Sequence, residues 1–364
     1  MKEAHPLEKT VGMELYSSDC AGIGGKLKTR YEDFLVEEIT ANKELLPIKD
    51  WLNRPLGEPN LQGKKTKYVS FTVQKMGLST MDVSTIIASS LRLPRNLVSY
   101  AGLKDKRAVT VQRMSAPTRA ANGLGALELS NIEIRDIEYS RRLVQIGELW
   151  GNRFTILLRD LDVSLETALE VAGEVQSSPL LNYFGVQRFG IARANTHIAG
   201  KFLIKRDFEG MVRSILCTPG EYEDQELLDA RAELADSLTP TEKIIDAFTK
   251  DLHYERVVMY ELIKQPGDFK RAVSRISPRI LTLMVHSYQS YLFNRMLSMR
   301  VKNGLSHVIP EPGDFLIALD ETHSGRDSWI YVTESTLEER RQQVSKMEYA
   351  LALQSPGYAT RLPP

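Results

Sequence analysis

The chain of 364 residues is long enough for two domains and a substantial core, and no apolar run reaches the length of a membrane span. Its 42% hydrophobic and 26% charged residues are typical of a globular protein, and 47 basic residues balance 47 acidic ones, so net charge alone does not indicate nucleic-acid binding. Two cysteines exclude a disulfide framework, and an N-terminus without the apolar core of a signal peptide predicts a cytoplasmic protein.

Strands dominate the first half of the chain. Predicted strands occupy residues 23–40 and 66–76, then the segment that ends near Pro117, and two segments within residues 131–158. In the second of these strands apolar and polar residues alternate, which is typical of a strand with one buried face. Residues 46–63 are rich in proline and glycine, which predicts a loop between the first two strands.

Helices follow these strands and dominate the second half. Ser79 is a candidate N-cap for a helix that Pro94 closes, and Ser164 is a second candidate N-cap. The acidic residues 221–251 are predicted to be helical, and residues 279–301 are predicted to form a long helix with a core-facing side. Because strands outnumber helices in the first half, the α+β class is the natural prediction.

Charge is unevenly distributed along the chain. Residues 1–120 hold 19 lysines and arginines against 13 acidic residues, whereas residues 221–260 hold 4 against 11. An excess of cations in the first third is compatible with a local cleft that binds nucleic acid, because lysine and arginine neutralise phosphates.

Chemistry is most concentrated in residues 101–112, which read Ala-Gly-Leu-Lys-Asp-Lys-Arg-Ala-Val-Thr-Val-Gln. This motif places one carboxylate, Asp105, between Lys104 and the pair Lys106 and Arg107. Flanking cations favour the charged form of a carboxylate and also attract a phosphodiester, so a nucleophile and a polyanionic substrate can meet here. A solvated turn is the alternative interpretation of the same residues.

Three further segments accompany this motif. Residues 30–38 read Arg-Tyr-Glu-Asp-Phe-Leu-Val-Glu-Glu, residues 182–190 read Asn-Tyr-Phe-Gly-Val-Gln-Arg-Phe-Gly, and residues 286–294 read His-Ser-Tyr-Gln-Ser-Tyr-Leu-Phe-Asn. Together with residues 101–112 they resemble the TruD family of RNA pseudouridine synthases, the last of them in the form found in archaeal and eukaryotic members. Long motifs in the same order make coincidence an inadequate explanation.

The resemblance implies a domain organisation. Residues 1–204 are expected to form a pseudouridine synthase-type catalytic domain with a mixed, largely antiparallel sheet flanked by helices, and residues 205–364 an inserted α/β TRUD domain. In the family, a further segment normally follows the insertion, returns to the catalytic sheet and brings another aromatic side chain to the uracil pocket. No counterpart is evident after residue 357, so we expect either a truncated chain or a pocket that is completed differently.

The resemblance also implies roles for four residues. Asp105 matches the family's catalytic aspartate, which attacks C1′ of the ribose or takes the C2′ proton, and the sequence leaves both routes open. Phe184 matches the aromatic residue that stacks on uracil, and Asn182 would orient the uracil edge through its amide. Phe34 matches another aromatic residue at the substrate. For each aromatic side chain, ordinary core packing is the alternative interpretation.

Further residues are expected to bind RNA or to support the motifs: Lys28, Lys104, Lys106, Arg107, Gln112, Gln187 and Arg188. The two glutamines and Arg188 are expected to brace motif backbones rather than to contact substrate. Successive strand side chains alternate in direction, so Lys104 can point away from Asp105, in which case the cation beside the carboxylate comes from a distant part of the chain.

Neither a metal nor a cofactor is predicted. The six histidines form no close ligand pair, and neither His-x-Glu nor Cys-x-x-Cys occurs. Residues 22–26 read Gly-Ile-Gly-Gly-Lys, but the serine or threonine of a phosphate-binding loop does not follow. His286 lies on the predicted long helix, where we expect a core residue rather than a catalyst.

The leading hypothesis is an isomerase that converts uridine to pseudouridine in tRNA at position 13, acting as a monomer on a base flipped out of its stack. The alternative is a non-catalytic RNA-binding protein or RNA chaperone that uses the same cleft, whose function would survive Asp105→Asn. A weaker third hypothesis is a metal-dependent nuclease, whose activity would be lost in chelator.

Overall fold

The computed structural model of the protein describes residues 2–50, 61–62, 64–190, 193–319, 329–357 and 360. The described residues form two compact units. The first, which we call the sheet unit, comprises the described parts of Gly22–Val171. The second, which we call the helical unit, comprises the described parts of Met1–Ala21, Ala172–Asp320 and Ser324–Pro364. The domain boundary at residues 204 and 205 stays a prediction.

The strands are numbered in chain order. They are β1 (Phe34–Thr40), β2 (Tyr68–Met76), β3 (Ser99–Tyr100), β4 (Val109–Pro117), β5 (Ile132–Ser140), β6 (Leu149–Ile156), β7 (Phe315–Ala318), β8 (Trp329–Tyr331) and β9 (Tyr349–Ala352).

The α-helices are numbered in the same way. They are α1 (Pro6–Thr10), α2 (Thr80–Ser90), α3 (Ala121–Gly125), α4 (Leu165–Ser177), α5 (Thr196–Lys205), α6 (Phe208–Leu216), α7 (Gln225–Ser237), α8 (Glu242–Ala247), α9 (His253–Lys264), α10 (Phe269–Ser274), α11 (Pro278–Lys302) and α12 (Leu337–Ser345). Short 3-10 turns lie at Tyr31–Asp33, Arg95–Leu97, Thr118–Ala120 and Val186–Phe189.

A mixed sheet flanked by helices organises the sheet unit, and the predicted α+β class is confirmed. Its strand order is β5-β2-β4-β1-β6, with β3 paired to β4. Strands β1 and β4 run parallel, whereas the other pairs are antiparallel. On one face the fully buried Val69, Phe71 and Val73 pack against Val83 and Ile87 of α2. Burial of these side chains stabilises the contact between sheet and helix by roughly 1.5–3 kcal/mol per residue.

The predicted elements of the sheet unit are confirmed, with one exception. Ser79 caps α2, since its side chain accepts a hydrogen bond from the Asp82 backbone while the Asp82 carboxylate accepts one from the Ser79 backbone. The exception is the first part of the strand predicted for residues 23–40, which begins only at Phe34. Gly24 and Gly25 have φ of +66° and +100°, values that interrupt an extended strand.

Helices α5 to α11 form the greater part of the helical unit around one apolar core. The 25-residue α11 packs along α5 and ends before Gly304, whose φ of +77° stops the helix. A small antiparallel sheet follows in the order β8-β7-β9. The expectation that His286 is a core residue is wrong, because its side chain lies on the exposed side of α11.

Some sequence predictions fall on residues outside the described ones. These are residues 51–60 and 63 of the predicted loop, His323, and most of the segment after residue 357.

Candidate active site

The Asp105 motif forms an irregular loop at one edge of the main sheet. The loop joins β3 to β4, and the Asp105 side chain is 40% exposed. Parallel pairing of β1 with β4 aligns Leu35 with Val109, so both strands begin at the same edge. Phe34, the first residue of β1, is therefore brought to the edge at which the Asp105 loop ends.

Lys28 joins the predicted catalytic aspartate to the predicted substrate aromatic. Its Nζ lies 2.7 Å from Asp105 Oδ1 and 3.9 Å from the centroid of the Phe34 ring. The first contact is a charge-assisted hydrogen bond, and the second is a cation–π contact. The cation beside Asp105 thus comes from a residue 77 positions earlier in the chain. Three of the predicted site residues meet at one point.

Asp33 fixes the turn that presents Phe34. Its carboxylate receives two hydrogen bonds from the Arg159 guanidinium, at 2.8 and 2.7 Å, and one from the Arg30 backbone N–H at 2.8 Å. The bidentate contact with Arg159 lowers the pKa of Asp33 to about 2. A carboxylate that stays ionised at neutral pH keeps this turn, and hence the start of β1, in one conformation.

Lys104 points away from Asp105 and into the sheet unit. Its side chain is 3% exposed, and its Nζ lies 2.8 Å from Glu38 Oε2 and 2.5 Å from Asn152 Oδ1. The peptide that precedes Asp105 is thereby tied to β1 and β6. The Lys104 side chain therefore points away from the Asp105 carboxylate, which is one of the two orientations that the sequence left open.

Gln112 and Thr80 hold the same loop through its backbone. Gln112 Nε2 donates to the Gly102 carbonyl at 3.1 Å, and Gln112 Oε1 accepts from the Thr80 hydroxyl at 2.9 Å. Thr80 Oγ1 in turn accepts from the Lys104 N–H at 2.9 Å. Both side chains are fully buried. Gln112 therefore has the contacts that a bracing residue needs, whereas Thr80 was missed because its sequence context indicates only a helix start.

Lys106 and Arg107 lie on the solvent side of the loop. Both side chains are exposed, and Arg107 Nη2 donates to the Thr29 carbonyl at 3.3 Å. Both cations are therefore accessible to an anionic ligand from solvent.

In the helical unit, Asn294 fixes the backbone of the second motif. Its amide accepts from the Phe184 N–H at 2.9 Å and donates to the carbonyls of Phe184 and Val11, each at 2.9 Å. Phe184 stays 39% exposed, and its ring packs edge-on against Phe293, with 5.3 Å between centroids. The Arg188 guanidinium lies 5.9 Å from the same ring. A large aromatic side chain is thus held in place while part of its surface faces solvent.

Asn182 and Gln187 line different cavities of the helical unit. The exposed Asn182 borders a cavity of about 120 Å³ that Phe293, Arg300 and His307 also line. Gln187 and Arg188 border a wider cavity of about 510 Å³. The structure thus groups Phe34, Lys28 and Asp105 in the sheet unit, and it groups Asn182, Phe184 and Arg188 in the helical unit.

Comparison with known proteins identifies the family of the chain. The family model described as "tRNA pseudouridine synthase D (TruD)" matches residues 10–364. The chain belongs to the TruD family. Membership of the TruD family makes it an enzyme of the isomerase class.

Individual TruD proteins resemble the chain over most of its length. A curated relative from Methanosarcina acetivorans, named "Probable tRNA pseudouridine synthase D", is 31% identical over 88% of this chain and 69% of its own. A Methanocaldococcus jannaschii relative, "Probable tRNA pseudouridine synthase D 1", is 34% identical over 86% of this chain and 77% of its own. A crystal structure from Methanosarcina mazei, described as "Putative tRNA pseudouridine synthase D (TruD)", has a TM-score of 0.78 and 29% identity, covering 96% of this chain and 77% of that one.

The TruD motifs contain two residues whose roles the sequence did not indicate. Phe293 and Asn294 end the fourth motif, residues 286–294, and both contact Phe184. The motif indicated that these two residues matter, but the position of a residue on a long helix does not indicate which loop its side chain contacts.

Among the described residues, no group of three His, Cys, Asp or Glu side chains could hold a metal ion. Within the same residues, none of the helices combines the length and the hydropathy needed to cross a bilayer.

We expect Asn294→Ala to impair both stability and activity. It leaves the buried Val11 carbonyl without this partner, at about 1–3 kcal/mol for full desolvation, and it frees the partly buried N–H and carbonyl of Phe184. The free energy of unfolding should fall by at least about 2 kcal/mol, and kcat should fall with it. Urea unfolding and turnover of the purified variant measure both. Asn303→Ala, at the exposed end of the same helix, is the control, and equal behaviour of the two variants would contradict the role of Asn294.

Proposed function

We propose that the protein converts uridine to pseudouridine in tRNA, at position 13, with Asp105 as the catalytic carboxylate. The observation that carries the proposal is the 2.7 Å ion pair between Lys28 and a partly exposed Asp105, beside the Phe34 ring. The TruD family supports the reaction class, and the names of the archaeal relatives support tRNA as substrate. Action as a monomer in the cytoplasm stays a prediction from the sequence.

The reaction breaks the bond between ribose C1′ and uracil N1 and rejoins the base through C5. In one route Asp105 forms an ester with C1′ as the uracil anion leaves, and C5 of the turned base later displaces the carboxylate. In the other, Asp105 takes the C2′ proton as uracil leaves, and it returns this proton to C2′ as C5 bonds to C1′. Both routes release the C5 proton and protonate N1, so the overall change is an isomerisation that needs no external oxidant or reductant.

Each residue of the sheet-unit cluster has a function in this proposal. Lys28 orients Asp105 through its hydrogen bond, which leaves the second carboxylate oxygen free to reach the ribose. Phe34 supplies an apolar wall beside the carboxylate and excludes water from one side. The buried anchors of the loop limit the motion of Asp105, as a reaction of this kind requires.

In this proposal, Asn182 and Phe184 bind the flipped uracil. A flipped uracil presents a flat face and a polar edge, for which a phenyl ring and a carboxamide are suitable partners. The partly exposed ring of Phe184, with its backbone held by Asn294, supports a stacking role over a packing role. The exposed Asn182 amide has donors and an acceptor available for the edge of the base.

The test uses tRNA transcribed with tritium at uridine C5. Wild-type protein should release tritium into water in the presence of EDTA, and release should plateau at one equivalent per tRNA. A transcript with cytidine at position 13 should release none. Release from that second transcript would contradict the assigned position, and absence of release from the first, with binding confirmed by filter retention, would contradict the isomerase itself. Intact RNA on a denaturing gel excludes nuclease activity.

A further inference from the structure

A fully buried lysine lies beside the Asp105 loop, and no motif of the sequence singled it out. Lys75 is the second-last residue of β2 and has no solvent-exposed surface. By the two-residue alternation of a strand, it lies on the same side as Val69, Phe71 and Val73. A lysine therefore occupies a position at which this strand otherwise has core residues.

The ammonium group of Lys75 contacts the loop backbone. Its Nζ donates to the Asp105 carbonyl at 2.8 Å and to the Leu78 carbonyl at 2.8 Å. The first contact holds the peptide of the proposed catalytic residue from the interior, whereas Lys28 holds its carboxylate from the other end. Asp105 is thus fixed at both its main chain and its side chain by lysines.

Removing the charged ammonium group of Lys75 from water costs free energy, so its presence in the core requires a compensating contribution. Desolvation lowers the pKa of Lys75 to about 8, partly offset by attraction to Asp105 and Asp82, while repulsion from Lys104 adds to the lowering. A methionine in the same place would fill the core without that penalty. The two carbonyl contacts are what a methionine cannot supply.

We propose that Lys75 is a positioning residue for Asp105, which holds the loop backbone so that the carboxylate keeps its place between Lys28 and the reacting ribose. The inference rests on the proposed function, because it concerns the same reaction. Lys75 is buried and does not reach RNA itself. Its effect is therefore expected on the chemical step and not on substrate affinity.

The first test is the Lys75→Met variant, assayed by tritium release. We expect kcat to fall by about 100-fold with KM for tRNA unchanged, because a small displacement of a catalytic group costs about that much. Thr72→Val is the matched control. Thr72 lies on the same strand, is fully buried, and has an Oγ1 without a hydrogen-bond partner among the described residues. It should keep the wild-type kcat.

The second test needs no variant and so remains decisive if Lys75→Met does not fold. For wild-type protein at saturating tRNA, kcat should fall as the pH rises through about 8, because Lys75 then loses its charge and its neutral amine donates weaker hydrogen bonds to the carbonyls of Leu78 and Asp105. Over the same range the contribution of Lys75 to stability rises, because above pH 8 the unfolded chain binds a proton that the folded chain does not. A fall in kcat without a fall in unfolding midpoint is therefore the signature of this residue.

The outcomes separate the inference from the proposed function. A folded Lys75→Met protein with wild-type kcat, or a wild-type kcat that stays flat to pH 10, would overturn the positioning role while leaving the isomerase in place. A wild-type protein that releases no tritium would overturn the proposed function and, with it, this inference. A fall in kcat and a rise in KM of equal size in Lys75→Met would also contradict the role, since loss of RNA contact is not expected.

Discussion

Replacing Asp105 by asparagine is expected to lower the rate of tritium release by about 1,000-fold or more, because the amide can neither attack C1′ nor take the C2′ proton. The fold should be unaffected. The side chain is 40% exposed, and the new amide oxygen can still accept the hydrogen bond from Lys28. Binding of tRNA should be equal or slightly tighter, because the substitution removes one negative charge that faces a polyanion.

Asp160→Asn is the matched control for this experiment. Asp160 also pairs with a lysine of the sheet unit, at 2.8 Å from Lys26, but both side chains are about two-thirds exposed. Its φ of +50° is one that asparagine adopts readily, so the same chemical change is tolerated there. The control should keep the wild-type rate. If Asp105→Asn also kept it, Asp105 would not be the catalytic carboxylate.

The comparison of wild type with Asp105→Asn also discriminates between an enzyme and a binding protein. If neither wild type nor Asp105→Asn released tritium while both bound tRNA equally well, the RNA-binding or RNA-chaperone hypothesis would replace the isomerase.

The elements of the fold followed from local patterns. Alternation in β2 and the capping residues Ser79 and Ser164 predicted strands and helices that the structure shows. The start of β1 could not be predicted, because Ile23 to Asp33 contains strand-forming residues whose conformation is decided by glycine dihedrals and by the Asp33–Arg159 contact. A contact between residues 126 positions apart leaves no local pattern.

In the candidate site, too, the residues of continuous motifs could be predicted, whereas their remote contacts could not. Motifs identified Asp105, Phe34, Phe184 and Asn182, since each motif is continuous in sequence. The partners that orient them are remote: Lys28 and Lys75 for Asp105, and Asn294 for Phe184. Lys75 could not be identified from the sequence for a second reason. A lysine after three alternating apolar residues normally indicates that the strand ends there and that the lysine is exposed to solvent.

Breaking the buried ion pair next to Asp105 is expected to lower the free energy of unfolding strongly. Lys104 and Glu38 lie 2.8 Å apart with side chains 3% and 1% exposed. Lys104→Met would leave the Glu38 carboxylate buried without its cation, and we expect a loss of about 3–5 kcal/mol in the free energy of unfolding. The exposed pair Lys26 and Asp160 is the control, since solvent screens this pair and Lys26→Met should leave the free energy of unfolding nearly unchanged.

A second substitution distinguishes stability from positioning. In Lys104→Met/Glu38→Gln the buried charge is gone, while the glutamine oxygen can still accept the hydrogen bond that Glu38 Oε1 receives from the Arg113 backbone. We therefore expect the double variant to regain at least half of the lost stability. Hydrogen–deuterium exchange of peptides from β1 and β4 measures the stability of the sheet unit separately.

The rate of tritium release by the double variant should nevertheless stay about 10-fold below that of wild type, because the side chain that ties the peptide before Asp105 to β1 and β6 is still missing. Full recovery of the rate along with stability would show that the ion pair supports the fold alone and has no part in placing Asp105.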